Sequence, residues 1–321
     1  MNKRFAAFLA AALMGTMILS GCGSSKEETK AAETTAETAT ETKVDETKAA
    51  EGTTGGVTEK VIMVVSFGTS YNDSREATIG AIETAIADAY PEYEVRRAFT
   101  SQMIIDKLKE RDGLEIDNVE EALDRAVADG VKTLVVQPTH LMDGYEYTDL
   151  ADALKAYEDK FEQVVLATPL LTSDEDFDAV AKAIAEETAS YDDGETAICF
   201  MGHGTEADSN GIYAKLQEKM TAAGYENYYI GTVEAEPTLE DLLTAIKEKG
   251  VYTKVVLEPL MVVAGDHANN DMAGDEDDSW KSQFEAADAF DNIETQIAGL
   301  GEIKEIQQLY VAHTKAAMDA E

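Results

Sequence analysis

From residue 61 onward, short apolar runs alternate with longer segments in which apolar residues recur every three or four positions. Runs without polar interruption read as strands buried on both faces, and the longer period reads as helices with one buried stripe. The pattern predicts strands over Val61–Ser66, Glu94–Phe99, Lys132–Gln137 and Gln163–Ala167. Between them it predicts helices over 74–90, from Ser101, and over Val119–Asp129, Tyr147–Lys160 and Asp174–Ser190. It resumes with strands over 196–201, 227–233, 254–258 and 293–297, and with helices over 211–223, 238–248, 276–288 and 302–318. Strand-then-helix alternation means parallel sheets covered on both faces, an α/β fold.

The two halves echo each other. Val64–Ser70 parallels Cys199–Thr205, and Val135–Gly144 parallels Val256–His267, each with a proline near the strand end. This reads as a duplicated unit: two similar lobes, 60–192 and 193–321, each a parallel sheet flanked by helices, with the active site in the cleft between them.

The first 59 residues read differently. Lys3 and Arg4 precede an apolar stretch, Phe5–Leu19, that ends in Ser20, Gly21 and Cys22. That is the pattern of a lipoprotein signal over residues 1–22, with Cys22 as the lipidated residue after cleavage. Residues 23–59 are rich in Thr, Ala and Glu, poor in large apolar side chains, and read as a disordered tether. The expected location is outside the cytoplasm, anchored to the membrane. The other cysteine, Cys199, sits in an apolar strand and reads as a buried small hydrophobe. A net charge of -38 excludes nucleic acid as a partner and favours cations.

Candidate chemistry gathers at strand ends. The chain has four histidines, and two of them, His203 and His267, follow buried-type strands in glycine-containing loops. Ligands of open α/β sheets bind beyond the carboxyl ends of strands. Ser66, Thr69, His140, Glu146, Glu234 and Asp271 occupy comparable positions. Two imidazoles and a carboxylate suit a borderline divalent cation such as Co²⁺, Ni²⁺, Fe²⁺ or Zn²⁺. Three protein donors with open positions suit a site that passes metal onward. Taken singly, each residue also has a plain reading: a surface histidine, or for Glu234 a carboxylate near a helix N-terminus. No phosphate-binding glycine loop is present, and no organic cofactor is expected.

Several stretches together resemble a known family: Val65–Tyr71, Arg97–Ser101, Met201–Gly204, Val233–Glu234, and above all Leu260–Met272 with Asp278–Lys281. They are similar to the anaerobic cobalt chelatases of cobalamin biosynthesis, class II chelatases that insert Co²⁺ into sirohydrochlorin. The resemblance implies a two-lobed fold, related to the ferrochelatases, with the tetrapyrrole in the cleft. It implies that His203, Glu234 and His267 bind metal and catalyse insertion. Ser66, Thr69, His140, Glu146 and Asp271 are then expected to contact substrate. Gly68 and Gly204 would allow a flat ring to approach the backbone.

Two features stand against the usual biosynthetic enzyme. The chain carries an export signal, and its acidic surface would repel a substrate with eight carboxylates. Arg75, Arg96, Arg97 and Lys281 are expected near the cleft, where neighbours within a screening length of about 8–10 Å outweigh net charge. A different class of function suits the tether equally: a surface lipoprotein that captures cobalt, iron or a metallated tetrapyrrole and hands it over without turnover. Homo-oligomerisation is compatible with either reading and required by neither.

Overall fold

The computed structural model describes residues 58–320. The expected signal segment, Cys22 and the tether as far as residue 57 lie outside the described residues. Glu59, expected as the last residue of the tether, is instead docked. Its carbonyl accepts from Lys132 N at 2.8 Å and Thr133 N at 2.9 Å.

Two four-stranded parallel sheets carry the fold. The first, β1 (Lys60–Ser66), β2 (Glu94–Phe99), β3 (Thr133–Pro138) and β4 (Gln163–Leu166), has the order β2-β1-β3-β4. The second, β5 (Thr196–Gly202), β6 (Tyr228–Thr232), β7 (Lys254–Pro259) and β8 (Asn292–Thr295), has the order β6-β5-β7-β8. The registers repeat as well. Val65 lies opposite Pro138 in one sheet, and Met201 lies opposite Pro259 in the other. The duplication expected from the echoed motifs is thus present in topology and pairing.

Helices begin where the sequence supplies a cap. Asn118, Ser173 and Thr238 accept from backbone N–H groups of the first turns of α4 (Val119–Ala128), α6 (Asp174–Glu187) and α8 (Leu239–Lys249). A carboxylate three residues on completes each box, satisfying two otherwise orphaned amides. The remaining helices are α1 (Asn72–Arg75), α2 (Ala81–Ala89), α3 (Gln102–Asp112), α5 (Tyr145–Lys155), α7 (Gly211–Ala222), α9 (Trp280–Ala286) and α10 (Lys304–Asp319). The helix expected over 74–90 is interrupted by a π turn at Glu76–Gly80, beside which Thr78 Oγ1 donates back to the Ser74 carbonyl at 2.5 Å. Such back-bonding competes with regular helical pairing. The helix expected over 147–160 starts earlier, at Tyr145, and stops at Lys155. The helix expected over 276–288 is shorter, because Ser279 caps it.

Alternation along the strands separates three large clusters, beside a smaller one of Ile79, Phe99, Ile105 and Leu108. Val61, Met63 and Val65 face α4 and α5, while Ala197, Cys199 and Met201 face α8 and α9. The opposite faces meet in one shared core, in which Ile62, Val64 and Val135 are continuous with Ile198, Phe200, Phe177, Tyr213 and Tyr310. Two helices cross over to build it. Helix α6 leaves the first sheet and packs on α7 of the second, and α10 leaves the second sheet and packs on α2 and β3 of the first. A boundary at 192/193 therefore separates the sheets but not their helical layers.

Side chains lock α10 in place. Tyr310 Oη donates to the Thr139 carbonyl at 2.9 Å, and Thr314 Oγ1 donates to Gln137 Oε1 at 2.8 Å. His313 Nε2 lies 2.8 Å from Asp176 Oδ1, a buried pair joining the two crossing helices. Burial pushes the Asp176 carboxyl up, but the Ser173 amide and His313 outweigh it and hold the group below the usual carboxylate range. A depressed carboxylate stabilises the fold above its unfolded-state pKa, and that stability is lost as pH falls through the folded value. Asp176→Ala removes the carboxylate half of the capping box and the partner of His313. It should lower unfolding free energy by about 2–4 kcal/mol, read from the denaturant midpoint. Its stability should also fall less steeply on acidification than that of the wild type. A midpoint within about 0.5 kcal/mol of wild type would show that the pair does not hold the helices together.

Candidate functional site

In both sheets the chain order reverses beside the central strand, so β1 and β5 each end at a switch point where a crevice opens. The loops leaving these points face one another. Tyr71 Oη lies 3.5 Å from Asp266 Oδ1, and Ala264 N donates to Ser74 Oγ at 3.0 Å. One lobe's loops thus touch the other's at the cleft floor.

His203 follows β5. Its carbonyl accepts from Glu234 N at 2.9 Å, and the Gly202 carbonyl accepts from Val233 N at 3.0 Å. Gly204 then turns at φ 86°, where a Cβ would sit 2.8 Å from Ala235 N, so only glycine fits. The His203 ring turns Nδ1 toward the Gly204 carbonyl at 2.7 Å. That carbonyl can only accept, so Nδ1 carries a proton, and in the neutral ring Nε2 keeps its lone pair. Glu234 Oε1 is 3.8 Å from this Nε2. Glu234 stands ahead of α8 rather than in its first turn, so the helix dipole does not account for it.

His267 stands at the start of the turn that continues as a π turn over Ala268–Met272, a segment that reads as loop in the sequence. Its Nδ1 lies 2.6 Å from Asp271 Oδ2, four residues on, which in the neutral ring again leaves Nε2 as the acceptor. The two imidazoles are 4.6 Å apart between centroids and nearly perpendicular, at 86°. Their side chains are 46% and 35% exposed, so the pair is open to the cleft. Among the described residues no three His, Cys, Asp or Glu side chains are already closed around one point. His203 is the neighbour of both other expected donors, Glu234 and His267.

The other expected residues fall into different places. Ser66 is buried and accepts from Thr139 Oγ1 at 2.7 Å. Thr69 is buried and accepts from Tyr71 N at 3.2 Å, shaping its own loop. Both hold the cleft floor and do not line its open face. Asp271, expected to contact substrate, lies behind His267 as its hydrogen-bond partner. Glu146 is exposed in the first turn of α5. Both ring nitrogens of His140 are buried without a partner. Burial pushes its pKa down to about 4 against a weaker upward pull from Glu146, so the ring is neutral near neutral pH.

Among the described residues, Thr100 Oγ1 and Ser209 Oγ are likewise buried and unpartnered, Thr100 in the loop after β2 and Ser209 in the 3₁₀ turn Asp208–Asn210 after β5. The sequence does not single out these hydroxyls. Nor does it single out Tyr213, whose Oη accepts from Gly204 N at 3.2 Å and fixes the His203 turn. On α7 this tyrosine reads as ordinary core.

The expected basic residues are largely committed elsewhere. Arg96 pairs with Glu94 and Asp129, Arg97 with Glu83, and Lys281 with Asp275. Arg75 is buried at the cleft and donates to Asn72 Oδ1 at 2.8 Å, an oxygen it shares with Arg111 at 2.7 Å.

Residues 60–319 match the family described as Cobalt chelatase (CbiK). A sirohydrochlorin cobaltochelatase of Salmonella typhimurium is 39% identical over 261 residues, covering 81% of this chain and 97% of that protein. Sirohydrochlorin cobaltochelatase CbiKC of Nitratidesulfovibrio vulgaris is 30% identical over 266 residues, covering 82% of this chain and 92% of that protein. Among solved structures, the sirohydrochlorin chelatase SirB from Bacillus subtilis subspecies spizizenii, in complex with cobalt, superposes with a TM-score of 0.55 at 12% identity. It covers 81% of this chain and 95% of that one, a likeness of fold.

Asp271 fixes the tautomer and aim of His267, and such outer partners typically carry 10–100-fold in metal affinity. Asp271→Asn should weaken Co²⁺ binding by about 10-fold or more in a calorimetric titration. Thermal stability should stay near wild type, because the pair is partly exposed. Unchanged affinity would separate Asp271 from the metal site.

Proposed function

Because this chain belongs to the cobalt chelatase family, we propose that it is a sirohydrochlorin cobaltochelatase, inserting Co²⁺ into sirohydrochlorin with release of two protons. That step belongs to anaerobic cobalamin biosynthesis. The observation that carries the reading is the perpendicular imidazole pair, 4.6 Å apart, with both Nδ1 atoms engaged and His203 Nε2 3.8 Å from Glu234 Oε1.

The chemistry follows from those donors. Co²⁺ is a substrate, held by His203 Nε2, His267 Nε2 and Glu234, while its remaining positions stay open for the ring nitrogens. Glu234 offsets part of the divalent charge. As the cation passes to the macrocycle, two pyrrole N–H protons must leave. The vacated imidazoles and Glu234 are the acceptors at hand, and solvent in the open cleft takes the protons onward. No organic cofactor enters. Ni²⁺ and Fe²⁺ suit the same donor set, so cobalt as the working metal is part of the proposal.

The location is proposed from the sequence alone: export, lipidation at Cys22, and a tether that holds the folded unit off the membrane. Cys22→Ala should release the protein from the membrane fraction without loss of chelatase activity. Continued membrane attachment would remove the lipoprotein reading.

The central test gives the purified protein sirohydrochlorin and Co²⁺ and follows the absorbance change. Turnover above the spontaneous rate supports the enzyme, and stoichiometric binding without turnover supports the carrier. His203→Ala should cut insertion by about 100-fold or more, on the scale of a lost acid–base group, with an unchanged unfolding midpoint. Protons and Co²⁺ compete for the same lone pairs, so insertion should fall on acidification and be partly restored by more Co²⁺. An acid limb that does not move with Co²⁺ concentration would exclude histidine ligation.

A further inference from the structure

The repeat lets each donor of the second lobe be matched to its counterpart in the first. Val65 and Met201 are equivalent, each opposite the proline that ends the neighbouring strand. Counting on, Ser66 matches Gly202, and Phe67 matches His203. The backbone bonds agree. Thr100 N donates to the Ser66 carbonyl at 2.9 Å and Ser101 N to the Phe67 carbonyl at 3.2 Å, as Val233 N and Glu234 N do to Gly202 and His203. Gly68 turns at φ 99° where Gly204 turns at 86°. From Pro138 and Pro259, Glu146 matches His267, each the second residue after its helix begins. The triad His203, Glu234 and His267 therefore has a counterpart in Phe67, Ser101 and Glu146.

Phe67 is unusual in its own loop. Ser66, Thr69 and Ser70 are buried, yet Phe67 is 49% exposed. It is not loosely held. Its carbonyl is bonded to Ser101, and a Cβ on Gly68 would lie 2.6 Å from the Phe99 ring, so the turn is packed down behind it. Folding leaves this ring half in water at the position where the other lobe presents a metal-binding imidazole. Nearby, the Thr100 hydroxyl is buried without a partner.

We propose that Phe67 is a substrate-binding residue whose ring stacks on the conjugated face of the tetrapyrrole, turning the opposite face toward His203 and His267. This rests on the chelatase reading. A phenyl ring neither ligates a cation nor accepts a proton, but its flat apolar face suits a flat conjugated macrocycle. The duplicated unit has thereby divided its labour: one lobe holds the metal, and the other holds the ring. Phe67 sets affinity for the macrocycle and contributes nothing to affinity for Co²⁺.

The test uses the full chain and two separate titrations, sirohydrochlorin without metal followed by absorbance, and Co²⁺ alone followed by calorimetry. Phe67→Ala should weaken sirohydrochlorin binding about 10-fold, the scale of one lost aromatic stack. Phe67→Trp should restore it, and Phe67→Leu should fall between. In turnover, the KM for sirohydrochlorin should rise while the KM for Co²⁺ stays at the wild-type value. Sirohydrochlorin binding by Phe67→Ala within about twofold of wild type would overturn the proposal. So would parallel loss of Co²⁺ binding, which would make Phe67 a structural support. If the wild type binds Co²⁺ but no sirohydrochlorin, the chelatase reading itself falls, and this proposal with it.

Discussion

The distance between the two sets of cleft loops is set by the core that both sheets share. Phe177 of α6 and Tyr310 of α10 pack among residues of both central strands, so neither sheet can be buried without the other. Exchange of the two helices turns two small units into one cooperative body, because a larger core offsets the chain entropy of both. The pair His313–Asp176 and the bond from Tyr310 to the Thr139 carbonyl pin that exchange at defined points. The second of these reaches the strand end immediately before His140. Packing far from the cleft thus fixes the backbone from which the cleft residues project.

Electrostatics works at shorter range than the overall charge suggests. A surface of charge -38 attracts a divalent cation from a distance and repels a carboxylate-rich ring. Within the cleft the balance is local. Arg96, Arg97 and Lys281 are already paired with carboxylates, so they offer little to an anion. Thr100, His140 and Ser209 keep buried polar atoms in reserve. Neutral groups of this kind accept hydrogen bonds or donate them without drawing the ring into an ion pair it could not leave.

What the sequence reveals follows from how local each signal is. Strands and helices were legible because apolar runs and a three-to-four-residue period are set by neighbours a few residues apart. The pairing of His203 with His267 was legible from the residues as a shared sheet edge, since topology places all carboxyl ends together, and from the family resemblance as one site. The exchange of α6 and α10 was not legible. His313 and Asp176 lie 137 residues apart, and nothing in either segment marks the other. Ser66 and Thr69 read as cleft residues because they follow a strand, but their hydroxyls turn inward to hold Thr139 and Tyr71. Asp271 read as a substrate contact because the π turn that sets it behind His267 has no clear signature in the sequence.

All three candidate metal donors stand on loops of one sheet, β5 to β8, and none comes from the other. On the proposed roles, cation selection and macrocycle selection are modular. Drift in the loops after β1, β2 and β3 can change which ring is accepted while the donor geometry at His203, Glu234 and His267 stays as it was. Conversely, exchanging a donor to suit another metal need not disturb the opposite wall. A duplicated fold that began with two equal edges would in this way gain two independent variables, one for the metal and one for its acceptor.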